Sequence, residues 1–338
     1  MIQIVDTADK LLTKEQLKGT NVFMGANYAD FVSSSNSKAE YCCSDKYIMP
    51  VQLIKKSIFK YCIFLNEPFC YNENSTETEK GFLDEVCKVL KKDYGVQWLN
   101  ATPAYAFFMD YPTGAKHIPF GSHVVDLTLD EETLFSNVHS KHRNVIKKAQ
   151  KDGVVIGYGR SEKMIKEYYQ MDIETWARSN RSSSGENSIK RQIDKLGENA
   201  IIYMAYLDGE PQSAALYYFN EQMCYYMHGV NKNGPHIGSG NLLQWQAMLD
   251  MKAQGVKKFS FVGCRINEDE DSKYHGIQRF KERFGGPVVQ GYMFKKVLNP
   301  FMFGMSQFLT RFMNLKRTGK FVPNTDTIDA EIHKWPQE

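Results

Sequence analysis

The chain has 338 residues, more than one ordinary core accommodates, so two domains of similar size are expected. It is 42% hydrophobic and 24% charged, with 21 Phe, 19 Tyr and 4 Trp, a composition that excludes extended disorder. Lys and Arg number 42 against 39 Asp and Glu, a net charge of +3. That balance excludes nucleic-acid binding through bulk charge, while a local basic patch can still hold an anion.

The seven cysteines are odd in number and have no CxxC spacing, with Cys42 beside Cys43. This argues against a secreted disulfide scaffold or a zinc site and for a reducing cytoplasm. The first residues lack the apolar stretch of a signal peptide. No run reaches the roughly 20 apolar residues that a spanning helix needs.

In chain order, residues 39–65 give the first strong β signal: two or three strands with turns near Ser44-Asp45 and Lys55-Lys56. Residues 77–94 read as an amphipathic helix, with Phe82, Leu83, Val86, Val89 and Leu90 at helical spacing and Gly95 as its stop. A strand follows in VQWLNATP. Asp130 is placed to cap a helix whose first turn carries Glu131 and Glu132. A second helical run, residues 139–151, carries Lys141, His142, Arg143, Lys147, Lys148 and Lys151 and ends at Asp152-Gly153. The domain boundary is set there: residues 1–152, then 153–300, with 301–338 as a C-terminal helix and tail. The helix EKMIKEYYQMDIETWARSN opens the second domain, and the polar stretch 179–188 reads as a mobile loop. Residues 201–230 read as a three-strand meander with turns at Asp208-Gly209 and Asn220-Glu221. A helix over 241–254, stopped by Gly255, and a strand, VKKFSFVG, complete the plan. Gly81 to Gly95-Val96 and Gly240 to Gly255-Val256 bracket the two helices alike, which suggests a duplicated α/β unit.

Three segments could carry chemistry. Gly238-Ser239-Gly240 lies between a strand and a helix, where backbone N–H groups and the helix dipole favour a phosphate; a plain capped turn is the alternative. In RFKERF, Arg279, Lys281 and Arg283 alternate with Phe280 and Phe284, as in a strand edge or a short helix turned by Gly285-Gly286. Such cations can stabilise an oxyanion or hold a diphosphate, or form a solvated face over buried Phe. The basic helix at 139–151 has the same two readings. His123, His142, His228 and His236 show no ligand spacing, so no metal site is expected. Cys264 stands at a strand end but reads as a buried structural thiol.

The blocks SNVHSKHRNVIKKAQKDGVVI, LDGEPQSAALYYF, GSGNLLQWQAMLDMKAQGVKKFSFVG and GIQRFKERFGG occur in this order. Their order and the FK..FGG ending resemble the Fem family of peptidoglycan bridge-forming aminoacyltransferases and the broader Fem-like acetyltransferase group of polysaccharide clusters. The likeness covers about residues 20–300. It implies an α/β (α+β) fold of two tandem GNAT-like domains, each a mixed, mostly antiparallel sheet flanked by helices. Fem enzymes pass an aminoacyl group from aminoacyl-tRNA to an amine of a precursor pentapeptide, with the Lys of the FK pair at the reacting centre. Here that pair is Phe280-Lys281, which makes Lys281 the catalytic cation. Arg143, Lys147, Arg279 and Arg283 are then expected on acceptor phosphate or sugar. In GNAT enzymes a Gly-x-Gly turn holds the acyl-CoA pyrophosphate, which assigns Gly238, Ser239 and Gly240 to the donor; Pro235 stands where that pattern carries Gln or Arg. No heptad-bearing arm of the kind some Fem members carry is seen.

The preferred reading is an acyltransferase forming an amide bond on a UDP- or lipid-linked muropeptide, with no resident cofactor and aminoacyl-tRNA or acyl-CoA as donor. The alternatives are an acyl-CoA-dependent N-acetyltransferase acting on an amino sugar or polysaccharide intermediate, and a non-catalytic module that binds an envelope precursor. The expected location is cytoplasmic. After Pro300, residues Phe301, Met302, Met305, Phe308, Leu309, Phe312 and Met313 fall at helical spacing, with Arg311, Lys316 and Arg317 nearby. The preferred reading of this helix is closure of the second domain's core; the other is peripheral contact of residues 301–317 with the inner membrane face.

Overall fold

The computed structural model describes residues 1–178, 181–266 and 272–337. The start of the stretch expected as a mobile loop, residues 179 and 180, lies outside them. The chain divides into two units, Met1–Gly121 with Gln290–Glu338, and Ser122–Val289.

The first unit opens with β1 (Gln3–Val5), α1 (Lys14–Gly19), α2 (Ala26–Val32), β2 (Ser37–Cys43), β3 (Tyr47–Lys56), β4 (Phe59–Phe64) and β5 (Phe69–Cys70). Helix α3 (Glu79–Lys92) and strand β6 (Trp98–Leu99) follow, and β7 (Lys116–Asp126) carries the chain into the second unit. That unit holds α4 (Glu131–Asn137), α5 (Ser140–Lys151), β8 (Val155–Gly159), α6 (Glu162–Ala177) and α7 (Glu186–Leu196). Its meander is β9 (Ala200–Leu207), β10 (Glu210–Phe219) and β11 (Met223–Asn231). Then come α8 (Ser239–Ala253), β12 (Lys258–Ser260), β13 (Cys264–Arg265) and α9 (Lys273–Glu282). Strand β14 (Val288–Val297) returns the chain to the first unit, which ends in α10 (Pro300–Thr318) and α11 (Thr327–Glu331).

The two units share one topology. In the first, β2, β3 and β4 pair antiparallel, α3 crosses over, and β6 pairs parallel to β4. In the second, β9, β10 and β11 pair antiparallel, α8 crosses over, and β12 pairs parallel to β11. Each sheet then receives an antiparallel strand from the other half of the sequence. Lys296 and Val297 of β14 pair with β6, and Val124–Asp126 of β7 pair with β12. This is the mixed, mostly antiparallel sheet flanked by helices, twice over, and it accounts for the matching glycines around α3 and α8.

Each sheet buries one face under its crossover helix. In the first unit Phe82, Leu83, Val86 and Leu90 of α3 pack on Phe64, Phe108 and Phe294. In the second, Trp245, Met248 and Met251 of α8 pack on Tyr203, Tyr217 and Phe259.

The division differs from a boundary near residue 152. Helices α4 and α5 belong with the second unit, because Leu134, Val138, Ile146 and Ala149 are buried in the same core as α8. Residues 290–338 belong with the first unit, because β14 supplies Phe294 to its core. The tail helix α10 therefore does not close the second domain's core: it lies in the first unit and has no buried residue. Strands β7, β8 and β14 and helix α7 have no counterpart among the expected elements. RFKERF adopts the helical alternative, as the end of α9.

Candidate active site

Strand β11 carries a bulge. Leu216 pairs with His228 and Tyr217 with Tyr226, which leaves Met227 as the extra residue. Beside it, β12 pairs with β11 only from Lys258 to Ser260 and then ends, while β11 runs on to Asn231. The parallel pair thus parts just before the bulge, after Tyr225. A cavity of about 900 Å³ opens there, lined by Tyr226 and His228 of β11, by Gly238–Asn241 at the start of α8, and by Val262, Phe280 and Lys281.

Where β12 ends, the chain turns through two left-handed residues, Val262 (φ 42°) and Gly263 (φ 72°). For a β-branched residue this conformation costs about 1–3 kcal/mol. The strain has a visible result. The Val262 and Gly263 carbonyls both turn toward Lys281, whose Nζ donates to Val262 O and, at 2.9 Å, to Gly263 O. Two of the three ammonium protons are fixed in this way, and the third remains for a ligand in the cavity. Burial pulls Lys281 down to about 8, with the nearby Cys264 acting weakly in the opposite direction. The group is still mostly cationic at neutral pH, half-buried and rigid. Those properties suit a donor to a developing oxyanion.

Phe280, its neighbour, packs against the core and offers its carbonyl to His142 Nε2 at 3.0 Å. His142 is buried and pushed down to about 4, chiefly by burial, so it is a neutral donor that ties α5 to α9. A second cavity of about 520 Å³ lies along these two helices. It brings Arg279 of α9 and Arg283, which caps the end of that helix, together with Lys141 of α5 and Asn241 of α8. Arg143 and Lys147 do not line it. The Arg143 guanidinium donates to Ser136 O at 2.8 Å and to Val138 O, closing the C-terminal end of α4. Lys147 is exposed and lies 5.6 Å over the Phe135 ring.

Gly238, Ser239 and Gly240 all line the larger cavity. Gly238 has φ 92°, and a Cβ there would stand 2.3 Å from Val145 O, so this glycine lets α8 approach α5. The Ser239 hydroxyl bonds Ser213 Oγ at 2.8 Å, inside the protein. What the segment leaves available is the N-terminus of α8, whose cap residue Gly238 supplies no side chain to it.

His228 was not singled out by its sequence context as anything but one of several scattered histidines. The structure sets it on the cavity wall beside the bulge. The surrounding protein pushes its imidazole below the usual histidine range, and Asp172 partly opposes this. A neutral histidine in that position can take a proton. Asp172 lines the same cavity and accepts from Trp176 Nε1 at 2.9 Å and from the Ser183 hydroxyl. Cys264 is buried, with its thiol pushed up by burial. Among the described residues, no group of three His, Cys, Asp or Glu could hold a metal ion.

Two copies of one strand–helix–strand crossover, the second opened around a cavity, make the fold GNAT-like. Residues 136–282 match a family model described as an acetyltransferase (GNAT) domain. Aminoacyltransferase FemA of Staphylococcus epidermidis is 22% identical over 124 residues, which is 35% of this chain and 30% of FemA. Lipid II:glycine glycyltransferase of Staphylococcus haemolyticus is 26% identical over 107 residues, 31% of this chain and 26% of that one. The match thus spans about 30% of the length of such relatives. The crystal structure of FemX superposes with a TM-score of 0.69 at 12% identity, covering 90% of this chain and 99% of FemX. L-PGS from Bacillus licheniformis superposes at 0.55 with 13% identity, over 89% and 96% of the two chains. At such identities the structures speak to the fold. Taken together, the chain is similar to Fem proteins in fold and, over part of its length, in sequence, and the GNAT match falls in its second unit.

Proposed function

We propose that this protein is an acyltransferase that forms an amide bond on a peptidoglycan precursor, passing an aminoacyl group to the amine of a muropeptide. The observation that carries the reading is Lys281: a cation fixed by the Val262 and Gly263 carbonyls in the wall of a cavity of about 900 Å³. The names of FemA and of lipid II:glycine glycyltransferase support the substrate class. In the proposed step the acceptor amine attacks the carbonyl carbon of the activated acyl group. Negative charge collects on the carbonyl oxygen, where the third Lys281 proton meets it. His228 takes the proton that the amine loses, and the carbonyl re-forms as the donor's oxygen or sulfur leaves. Arg279, Arg283 and Lys141 hold an acceptor phosphate in the adjoining basic cavity.

A second reading, with acyl-CoA as donor, is favoured by the uncapped α8 N-terminus on the cavity and by the GNAT description of residues 136–282. Both readings are tested at once. The protein is offered UDP-linked or lipid-linked muropeptide with either radiolabelled aminoacyl-tRNA or acetyl-CoA, and the product mass is read. Lys281→Met is expected to lose turnover by about 10²–10³-fold while keeping its melting temperature. Full turnover by a folded Lys281→Met protein would remove the proposed mechanism. Transfer from acetyl-CoA alone would replace the aminoacyl reading with the second one.

A further inference from the structure

Helix α10 is apolar and largely uncovered, with Phe321 of the return segment meeting Phe308 edge-on at 6.0 Å. Phe301 is 77% exposed, Met313 63% and Phe308 60%, and Leu309, Phe312 and Leu315 are also exposed. Phe301, Met305, Phe308, Phe312 and Leu315 repeat every three or four residues and form one stripe, about 21 Å of helix in length. The helix is nonetheless held firmly at its root. Leu298 and Asn299 donate to Gln97 O, Asn299 caps the first turn, and Phe303, on the opposite face, meets Trp98 edge-on at 5.6 Å. The return segment is held too: Asn314 Nδ2 donates to Val322 O at 2.9 Å, and Lys295 bridges Asp326 and Asp329 at 2.7 and 2.6 Å. This is an anchored projection whose apolar side has been left in water.

Its charge selects the occupant. Residues 300–325 contain Arg311, Lys316, Arg317 and Lys320 and no Asp or Glu. Arg311 and Lys316 fall on opposite sides of the stripe at helical spacing. Lys316 Nζ rides 4.8 Å over the Phe312 ring, so its charge reaches the edge of the apolar surface. A second copy would bring the same cations face to face, which is repulsive. A surface that is apolar within and anionic at its rim satisfies both features. Among the described residues no helix is long and apolar enough to cross a membrane, so α10 would lie along the interface.

We propose that α10 seats this protein on anionic lipid, with the Phe301–Met305–Phe308–Phe312–Leu315 stripe in the acyl boundary and Arg311 and Lys316 on the headgroups. The proposal is independent of the reaction, because its test is a binding measurement with no substrate present.

The full chain is sedimented with vesicles of phosphatidylcholine alone or mixed equally with phosphatidylglycerol. Wild type is expected to pellet with the mixed vesicles and to be released by added salt. Phe301→Ser/Phe308→Ser/Phe312→Ser should lower the bound fraction at least about tenfold. Arg311→Glu/Lys316→Glu changes exposed positions only, so it remains informative if the triple variant melts early. It should erase the preference for the anionic vesicles. Wild type left in the supernatant with both vesicles overturns the proposal, and so does undiminished anionic preference in the charge-reversed protein. Equilibrium sedimentation without lipid covers the other occupant: a dimer that the triple variant dissolves would make the stripe a self-association surface and overturn the proposal.

Discussion

Helices α3 and α8 are the same element in two copies, and their N-termini have opposite fates. At α3, Thr78 Oγ1 accepts the Gly81 N–H at 3.1 Å and Glu79 sits in the first turn. That end is closed by its own side chains, and the Glu79 carboxylate receives Met109 N at 2.9 Å and Asp110 N at 3.4 Å. At α8 the cap residue is Gly238, no acid lies in the first turn, and the end opens on the cavity that holds Lys281. A single cap position thus separates a helix that only supports its sheet from one that can meet a ligand.

The largest test of this contrast is a pair of identical substitutions. Gly238→Ala forces a Cβ to 2.3 Å from Val145 O at a positive φ, whereas Gly81→Ala meets only Thr78 Oγ1, at 3.2 Å in ordinary helical backbone. Thermal and denaturant melts should show a loss of about 3 kcal/mol or more for Gly238→Ala. Gly81→Ala should fall within about 1 kcal/mol of wild type. Equal, mild effects would mean that α8 and α5 do not approach as closely as described.

The pH dependence separates the two units further. With Lys281 lowered to about 8, its proton is lost as pH rises past that value, and the proposed oxyanion donor is lost with it. The transfer rate should therefore fall about tenfold per pH unit above pH ~8, while the melting temperature rises over the same range, because the folded protein gives up this proton before the unfolded chain does. His228, whose imidazole is held below the usual histidine range, lines the same cavity, so the acid limb belongs to it and the alkaline limb to Lys281. A rate still climbing at pH ~9 would exclude the ammonium as the donor.

The smallest effect is expected at the closed end. Burial raises Glu79 to about 7, opposed by the two backbone N–H groups. A carboxyl with a raised folded pKa favours the folded state most below its unfolded value and loses that contribution as pH climbs through about 7. Glu79→Gln keeps an acceptor oxygen and removes the titration. Its melting temperature should vary less between pH 4.5 and 7 than that of wild type, with a gain of roughly 1 kcal/mol at the upper end. Parallel pH curves for the two proteins would mean that Glu79 is not desolvated as described.

Much of this architecture was legible because its signals are local. Asp208-Gly209 marks a tight turn whatever surrounds it, and both residues take positive φ in the fold. The apolar spacing of Phe82, Leu83, Val86 and Leu90 marks α3 in the same way. Helix α7 was hidden because the serines before Gly185 read as loop, although Ile189, Ile193 and Leu196 keep helical spacing beyond it. Strand β14 was hidden because its last residues merge with the apolar tail. At the site, RFKERF was conspicuous, but the positive φ of Val262 has no sequence signal, and a lone His228 has no spacing to announce it. The error at α10 has another source. Apolar periodicity predicts an apolar face and says nothing about what covers it, and α8 and α10 show both outcomes in one chain.

The exchange of strands between halves also sets an order of events during synthesis. The second unit is a single run, Ser122–Val289, so all of it has been synthesised before strand β14 is complete. The first unit must wait. Its sheet lacks β14, and its core lacks Phe294, which meets Phe108 at 5.0 Å and Phe64 at 6.0 Å, until the final stretch emerges. Residues 1–121 therefore remain an unfinished, apolar nascent segment while the later-made unit closes. The N-terminal half is translated first but matures last, and a chaperone that shields Phe64 and Phe82 would matter most in that interval.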